Sequence, residues 1–142
     1  METSAEAAIS TYRAELPSMV ATLCSCEGLL GPYHPQTLHL MTHIAIAHWH
    51  AGESRRACLL LERALEDLNR HLGRTHDLRL QALTALRDVL VAEGDNERAS
   101  MVQGELLECQ IQRQGSGHPD TIAARADLTA ILLGSPDFRG PS

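Results

Sequence analysis

The stretch "GPYHPQTLHLMTHIAIAHWHAG", residues 31–52, decides the fold. It opens on a glycine, sets a histidine three residues later with a proline behind it, and then runs apolar to a second glycine. Pro35 suits the first turn of a helix, where its missing N–H leaves no bond unmade. Leu38, Met41, Ala45 and His48 then recur at helical spacing, and Ile44 widens the stripe. Gly52 ends the segment as a left-handed cap would. "ESRRACLLLERALEDLNRHLG", residues 53–73, follows directly; Ala57, Leu60, Leu61, Ala64, Leu65, Leu68 and Leu72 make one apolar face, and Gly73 closes it. Two helices joined so tightly run antiparallel.

The same opening returns twice, as "LGRTHDLRL" at 72–80 and "GSGHPDTIA" at 115–123. Gly31, Gly73 and Gly115 stand 42 residues apart each time, and so do His34, His76 and His118, and Leu38, Leu80 and Ile122. A fixed period in this range marks a chain built from stacked supersecondary units. In the second repeat, residues 77–93 carry Leu80, Leu83, Leu86 and Leu90 and stop at Gly94. Residues 95–114 carry Ala99, Val102, Leu106, Cys109 and Ile111 and stop at Gly115. The third offers only "HPDTIAARADLTAILLG". Upstream, residues 17–30 read as the second helix of a preceding repeat, with Pro17 at or near its start. The expected organisation is an N-terminal segment at 1–16 with a short helix, then a helical repeat domain over 17–133. That domain divides into a partial repeat (17–30), two full ones (31–72 and 73–114) and a half repeat (115–133), and residues 134–142 form a disordered tail. The recurring histidine is expected to cap the helix that follows or to bond backbone across the turn.

Composition narrows the function. Aromatics are only 3% of the chain, so the core is aliphatic, and a core rich in Leu and Ala favours helices over strands. A net charge of −6 argues against general phosphate-backbone binding, so no nucleic-acid partner is expected. All twelve basic residues are arginine, which excludes lysine chemistry. The N-terminus lacks the pattern of a secretory signal, and no apolar run is long enough to cross a bilayer. Cys24, Cys26, Cys58 and Cys109 show no metal-ligand spacing and are expected to be reduced, mostly buried thiols of a cytoplasmic protein.

The letters of the first repeat resemble the tetratricopeptide repeat, in the 42-residue form found in kinesin light chains and nephrocystin-like proteins. The matching residues are Gly31, His34, Pro35, Thr37 and Leu38 at the entry, Gly52 and Gly94 in the middle turn, Ala57, Ala64 and Ala99, and "ERAL" at 62–65. The resemblance covers roughly residues 17–133. In the second repeat Asp77 replaces the proline, and Arg87 stands where the family prefers a small residue. The resemblance implies an all-α superhelical solenoid of antiparallel helix pairs whose first helices line a concave groove. It would place His39, Thr42, His43, Ile46, Trp49 and His50 of the first repeat in that groove. The second repeat would add Gln81, Thr84, Ala85, Asp88, Val91 and Ala92, and the third Ala123, Ala126, Asp127 and Ala130. The Lys, Arg and Asn with which relatives grip a C-terminal carboxylate are absent from these positions. Where kinesin light chains often carry Asn, this chain has His43, Ala85 and Asp127.

The implied role is a non-enzymatic adaptor that captures a segment of a protein or peptide partner, with no cofactor. Trp49, the single tryptophan, has two readings, an exposed anchor or a residue packed on a neighbouring helix. The alternative role is zinc binding by His39 and His43, which share a helix face at i and i+4. His50 lies about 16 Å from His39 along the axis, too far to join them on one ion, and no local carboxylate completes the pair. No nucleophile–base arrangement or glycine-rich phosphate loop is present. His48 is expected to take a hydrogen-bonded core role. The half repeat leaves the apolar side of residues 119–133 without a built-in cover, for which a homo-oligomer or docking onto another protein is expected.

Overall fold

The computed structural model describes residues 4–73 and 77–134. Six helices follow one another: α1 (Ser4–Leu30), α2 (Pro35–His50), α3 (Ser54–His71), α4 (Asp77–Ala92), α5 (Asn96–Gln114) and α6 (Pro119–Leu132). The described residues contain no strand, and within each of two units the helices adjacent in sequence pack together, an all-α helical repeat arrangement. The chain divides into two compact units, Met1–Gly73 with α1 to α3 and Arg74–Ser142 with α4 to α6. Within the first, α2 packs against both α1 and α3; within the second, α5 packs against both α4 and α6.

The 42-residue period is written into the backbone. Gly31, Gly73 and Gly115 take φ of 94°, 93° and 86°, and the mid-turn glycines Gly52 and Gly94 take 84° and 81°. That left-handed conformation strains any residue with a Cβ, which is why glycine returns at these turns. The bonds recur as well. Gly52 N donates to Trp49 O and Glu53 N to His48 O, and 42 residues on Gly94 N donates to Val91 O and Asp95 N to Leu90 O. His34 and His118 are N-caps with nearly identical angles (φ −66°, ψ 141° and φ −67°, ψ 140°). Each accepts on Nδ1 the backbone N–H two residues ahead, from Gln36 and Asp120, at 3.1 Å. Capping is thus the role of the recurrent histidine at both positions; His76 lies outside the described residues, as do residues 135–142 of the expected tail.

The N-terminus departs from expectation. In place of a short helix at 4–16 and a second one starting at Pro17, a single helix runs from Ser4 to Leu30 with Pro17 inside it. An interior proline costs a helix about 3 kcal/mol or more. Here it is offset by an apolar stripe that crosses the proline without losing phase. Leu16 is buried with Ile44, Ala47 and Ala51 of the following segment, and Tyr12, Met19, Leu23, Leu40 and Leu60 pack around them. Residues 12, 16, 19 and 23 share one helix face, so a break at Pro17 would split that face, and Pro17 itself is exposed.

In the second unit the core is built from Ala82, Leu83, Leu86, Val89, Leu90, Ala99 and Leu106, with Ala124 and Ile131 of α6. Arg79, only 2% exposed, is part of it. Its Nη1 donates to Cys109 Sγ at 2.8 Å and its Nη2 to Glu105 Oε2 at 2.9 Å, so the charge is carried to a half-exposed carboxylate. None of the four cysteines is in a disulfide, and only Cys109 is buried: Cys26 and Cys58 are half-buried and Cys24 is exposed, a correction to the expectation of mostly buried thiols. Ile122, Leu132 and Leu133 are exposed on or just after α6.

Candidate functional site

Two faces carry the residues singled out from the sequence, one in each unit. On α2, His39 and His43 meet edge to face with their Nε2 atoms 3.0 Å apart. Each ring can satisfy the other, one donating and one accepting. His39 Nδ1 is buried and has no hydrogen-bond partner. A bare acceptor is cheaper to orphan than an N–H, which favours the tautomer with the His39 proton on Nε2, donating to His43. A metal would need both Nε2 lone pairs, which would move that proton to Nδ1, where no acceptor waits to orient it. Among the described residues no group of three or more His, Cys, Asp or Glu is placed to hold a metal ion.

Further along α2, His50 stacks with Tyr12 (ring centroids 4.8 Å) and with Trp49 (5.1 Å). Trp49 is half-buried, between its two expected states, and Ile46 likewise. Thr42 is not a surface residue: it is 2% exposed and its hydroxyl donates to Leu38 O at 3.0 Å, which corrects its assignment to a groove. His48 holds a structural bond as expected, Nδ1 donating to Glu53 Oε2 at 3.1 Å.

The second unit contains a cavity of about 170 Å³ between α4 and α6, floored by α5. Thr84 and Arg87 line it from α4, Gln103, Leu106 and Gln110 from α5, and Asp120, Ala123, Ala124 and Asp127 from α6. One polar network shapes it. Arg87 donates from Nε and Nη2 to Asp88 Oδ1 (3.0 and 2.8 Å) and from Nη1 to Gln103 Oε1 (2.9 Å). Gln103, 1% exposed, donates from Nε2 to Ala124 O at 2.9 Å. One buried amide thereby ties α5 to both of its neighbours. Arg87, the residue out of place for the family resemblance, is held by Asp88 and Gln103.

Other acceptors around the cavity are unmatched. Gln110 Oε1 is buried without a hydrogen-bond partner. Asp127 makes no hydrogen bond or ion pair among the described residues. Asp120 Oδ2 lies 3.9 Å from His118 Nδ1, but that nitrogen already accepts the Asp120 N–H, so its lone pair is occupied and this approach is not an ion pair.

Burial pushes the Asp88 carboxyl above its ordinary value of 3.8; Arg87 pulls it down, and Asp127 pushes it up further. A carboxyl whose pKa rises on folding holds its proton more tightly in the folded chain. Its contribution to stability is therefore fully present below 3.8 and is lost as pH climbs through the raised folded value. Replacing Asp127 with asparagine should move the Asp88 midpoint down, read by carbon-detected NMR of the carboxyl. An unchanged midpoint would mean that the two carboxylates do not sense each other.

Of the residues anticipated in the second unit, Thr84, Ala123 and Asp127 line the cavity and Asp88 stands beside it, while Gln81 is exposed on α4 and does not line it, and Ala85 is buried. Arg87, Gln103, Gln110 and Asp120 were missed. A signal was present: Gln103 and Gln110 flank Leu106 at i−3 and i+4, polar residues on the stripe that faces inward.

No protein-family model matches this chain, and no curated protein matches it.

Proposed function

We propose that the chain is a non-enzymatic interaction module of tetratricopeptide type that captures a segment of a protein partner, and that the cleft between α4 and α6 is where its second unit does so. The observation that supports this reading most is the coincidence of Thr84 and Asp127, assigned to a groove from the family resemblance, on the walls of one cavity. Capture needs a concave site with a few fixed polar groups, and the Arg87–Gln103 network provides the fixing. The half-buried Trp49 beside His50 is a further contact surface, belonging to the first unit. Four cysteines without a disulfide suit a reducing compartment, the cytoplasm.

Panning a random peptide display library against the full chain tests the proposal. Enriched peptides should bind in fluorescence anisotropy and lose at least about tenfold in affinity, roughly 1.4 kcal/mol, when the exposed lining residue Ala123 is changed to arginine. No enrichment, or binders indifferent to Ala123→Arg, would sink the reading.

A further inference from the structure

The hydrogen-bonding capacity of the cavity is lopsided. Its one cation, the Arg87 guanidinium, is charge-paired with Asp88 and also held by Gln103, and the Gln103 amide is turned to Ala124 O. What the lining offers besides is rich in acceptors: the carboxylates of Asp127 and Asp120, the carboxamide oxygen of Gln110, and the Thr84 hydroxyl, whose proton goes to Leu80 O. An anionic ligand would find no unspent charge of opposite sign here. Gln110 Oε1 is the sharper clue, because an acceptor stripped of water and given no donor costs about 1–3 kcal/mol until one arrives.

Size and spacing narrow the ligand. Pockets for drug-sized molecules run to roughly 300–1,000 Å³, and about 170 Å³ suits one side-chain head group. Asp120 and Asp127 are seven residues apart, about 10 Å along α6 at 1.5 Å per residue, so they do not converge on a single metal ion. Acceptors spread over three helices call for one planar group with donors pointing several ways. The guanidinium, with five N–H donors and a permanent charge, is that group.

We infer that the α4–α5–α6 cavity is the seat of an arginine side chain presented by the captured protein segment, with Asp127 as its counter-charge. The inference rests on the interaction-module reading above and adds the identity of the residue that is read. Arginine seated there would bring a positive charge beside Asp127 and near Asp88, whose carboxyl is held up mainly by burial and further by Asp127. Turning the Gln110 carboxamide toward the seated guanidinium would also give its buried oxygen a donor.

The test is a titration of the full chain with blocked arginine (acetylated, with a methylamide), followed by amide proton–nitrogen correlation spectra. Blocked citrulline is the matched control: nearly the same shape, no charge. Arginine should shift resonances in 84–88, 103–110 and 120–127, with a dissociation constant on the order of millimolar for one side chain. Citrulline should shift them at least about tenfold more weakly. Asp127→Asn, its fold checked in the same spectra, should weaken arginine at least about tenfold, and Ala123→Glu, which adds a carboxylate at the rim, should tighten it. Equal binding of citrulline, shifts confined to other residues, no shifts at all, or an indifferent Asp127→Asn would each overturn the inference. Its failure is separable from that of the broader reading. Library peptides that lack any basic residue but are still blocked by Ala123→Arg would leave the interaction module standing and remove arginine as its ligand.

Discussion

Changing Gln103 to leucine should destabilise the second unit by about 2–5 kcal/mol, although the two side chains are of similar size. Gln103 is 1% exposed and bonded twice. Leucine takes the acceptor from Arg87 Nη1 and the donor from Ala124 O at once. A hydrogen bond to a charged group is worth about 1.5–3 kcal/mol, and Ala124 O, which keeps its place in the α6 ladder, loses a second donor worth about 0.5–1.5 kcal/mol. Arg87 keeps its two bonds to Asp88 Oδ1, and its side chain is 13% exposed, so some of its loss is recovered from water. Gln103→Glu separates the two contributions, since glutamate still accepts from Arg87 but sets an oxygen against Ala124 O. Denaturant unfolding gives the total, and hydrogen exchange along α6 locates it, because Gln103 is a tie between α5 and α6. A loss below about 0.5 kcal/mol, within the range of an ordinary surface change, would mean that the network does not organise the cavity.

Ile44→Ala should cost the first unit a similar amount, about 2–5 kcal/mol, through packing alone. Ile44 is 2% exposed and sits with Leu16, Ala47 and Ala51, so three of the four buried members of that cluster come from α2 and its C-cap and one from α1. Removing its branch opens a void that Ala47 and Ala51 are too small to fill. Ile44→Val should cost only about 0.5–1.5 kcal/mol. Protease sensitivity should rise first within α1, whose Pro17 makes it the weaker helix when its support is withdrawn. If Ile44→Ala proves as mild as Ile44→Val, the α1–α2 seam is not close-packed.

These two residues mark the limits of legibility. Ile44 was readable as core because it sits in phase with Leu38 and Met41, and every member of that stripe named from the sequence except His48 is buried. Gln103 was not readable, because a glutamine on an inward stripe announces only that some partner must exist. The partners, Arg87 and Ala124 O, lie 16 and 21 residues away on other helices. Thr42 shows the reverse error. A hydroxyl that bonds its own helix at Leu38 O needs no solvent, so the mapping from the family resemblance placed it on the wrong side. The histidines divide the same way: their capping role at 34 and 118 was among those foreseen, since a cap contacts only its own turn, whereas the buried Nδ1 of His39 depends on what packs over it.

By itself the sequence determined the period, the helical class, the turns at the recurrent glycines and most of the apolar faces. All of these depend on backbone conformation and on neighbours within about one helical turn, which the chain carries wherever it goes. Only the tertiary structure decided that α1 runs through Pro17, that Thr42 is covered, and that Arg87, Gln103 and Asp127 meet around one cavity. Those outcomes turn on which surfaces come to lie against each other, and burial and pairing are properties of two segments at once.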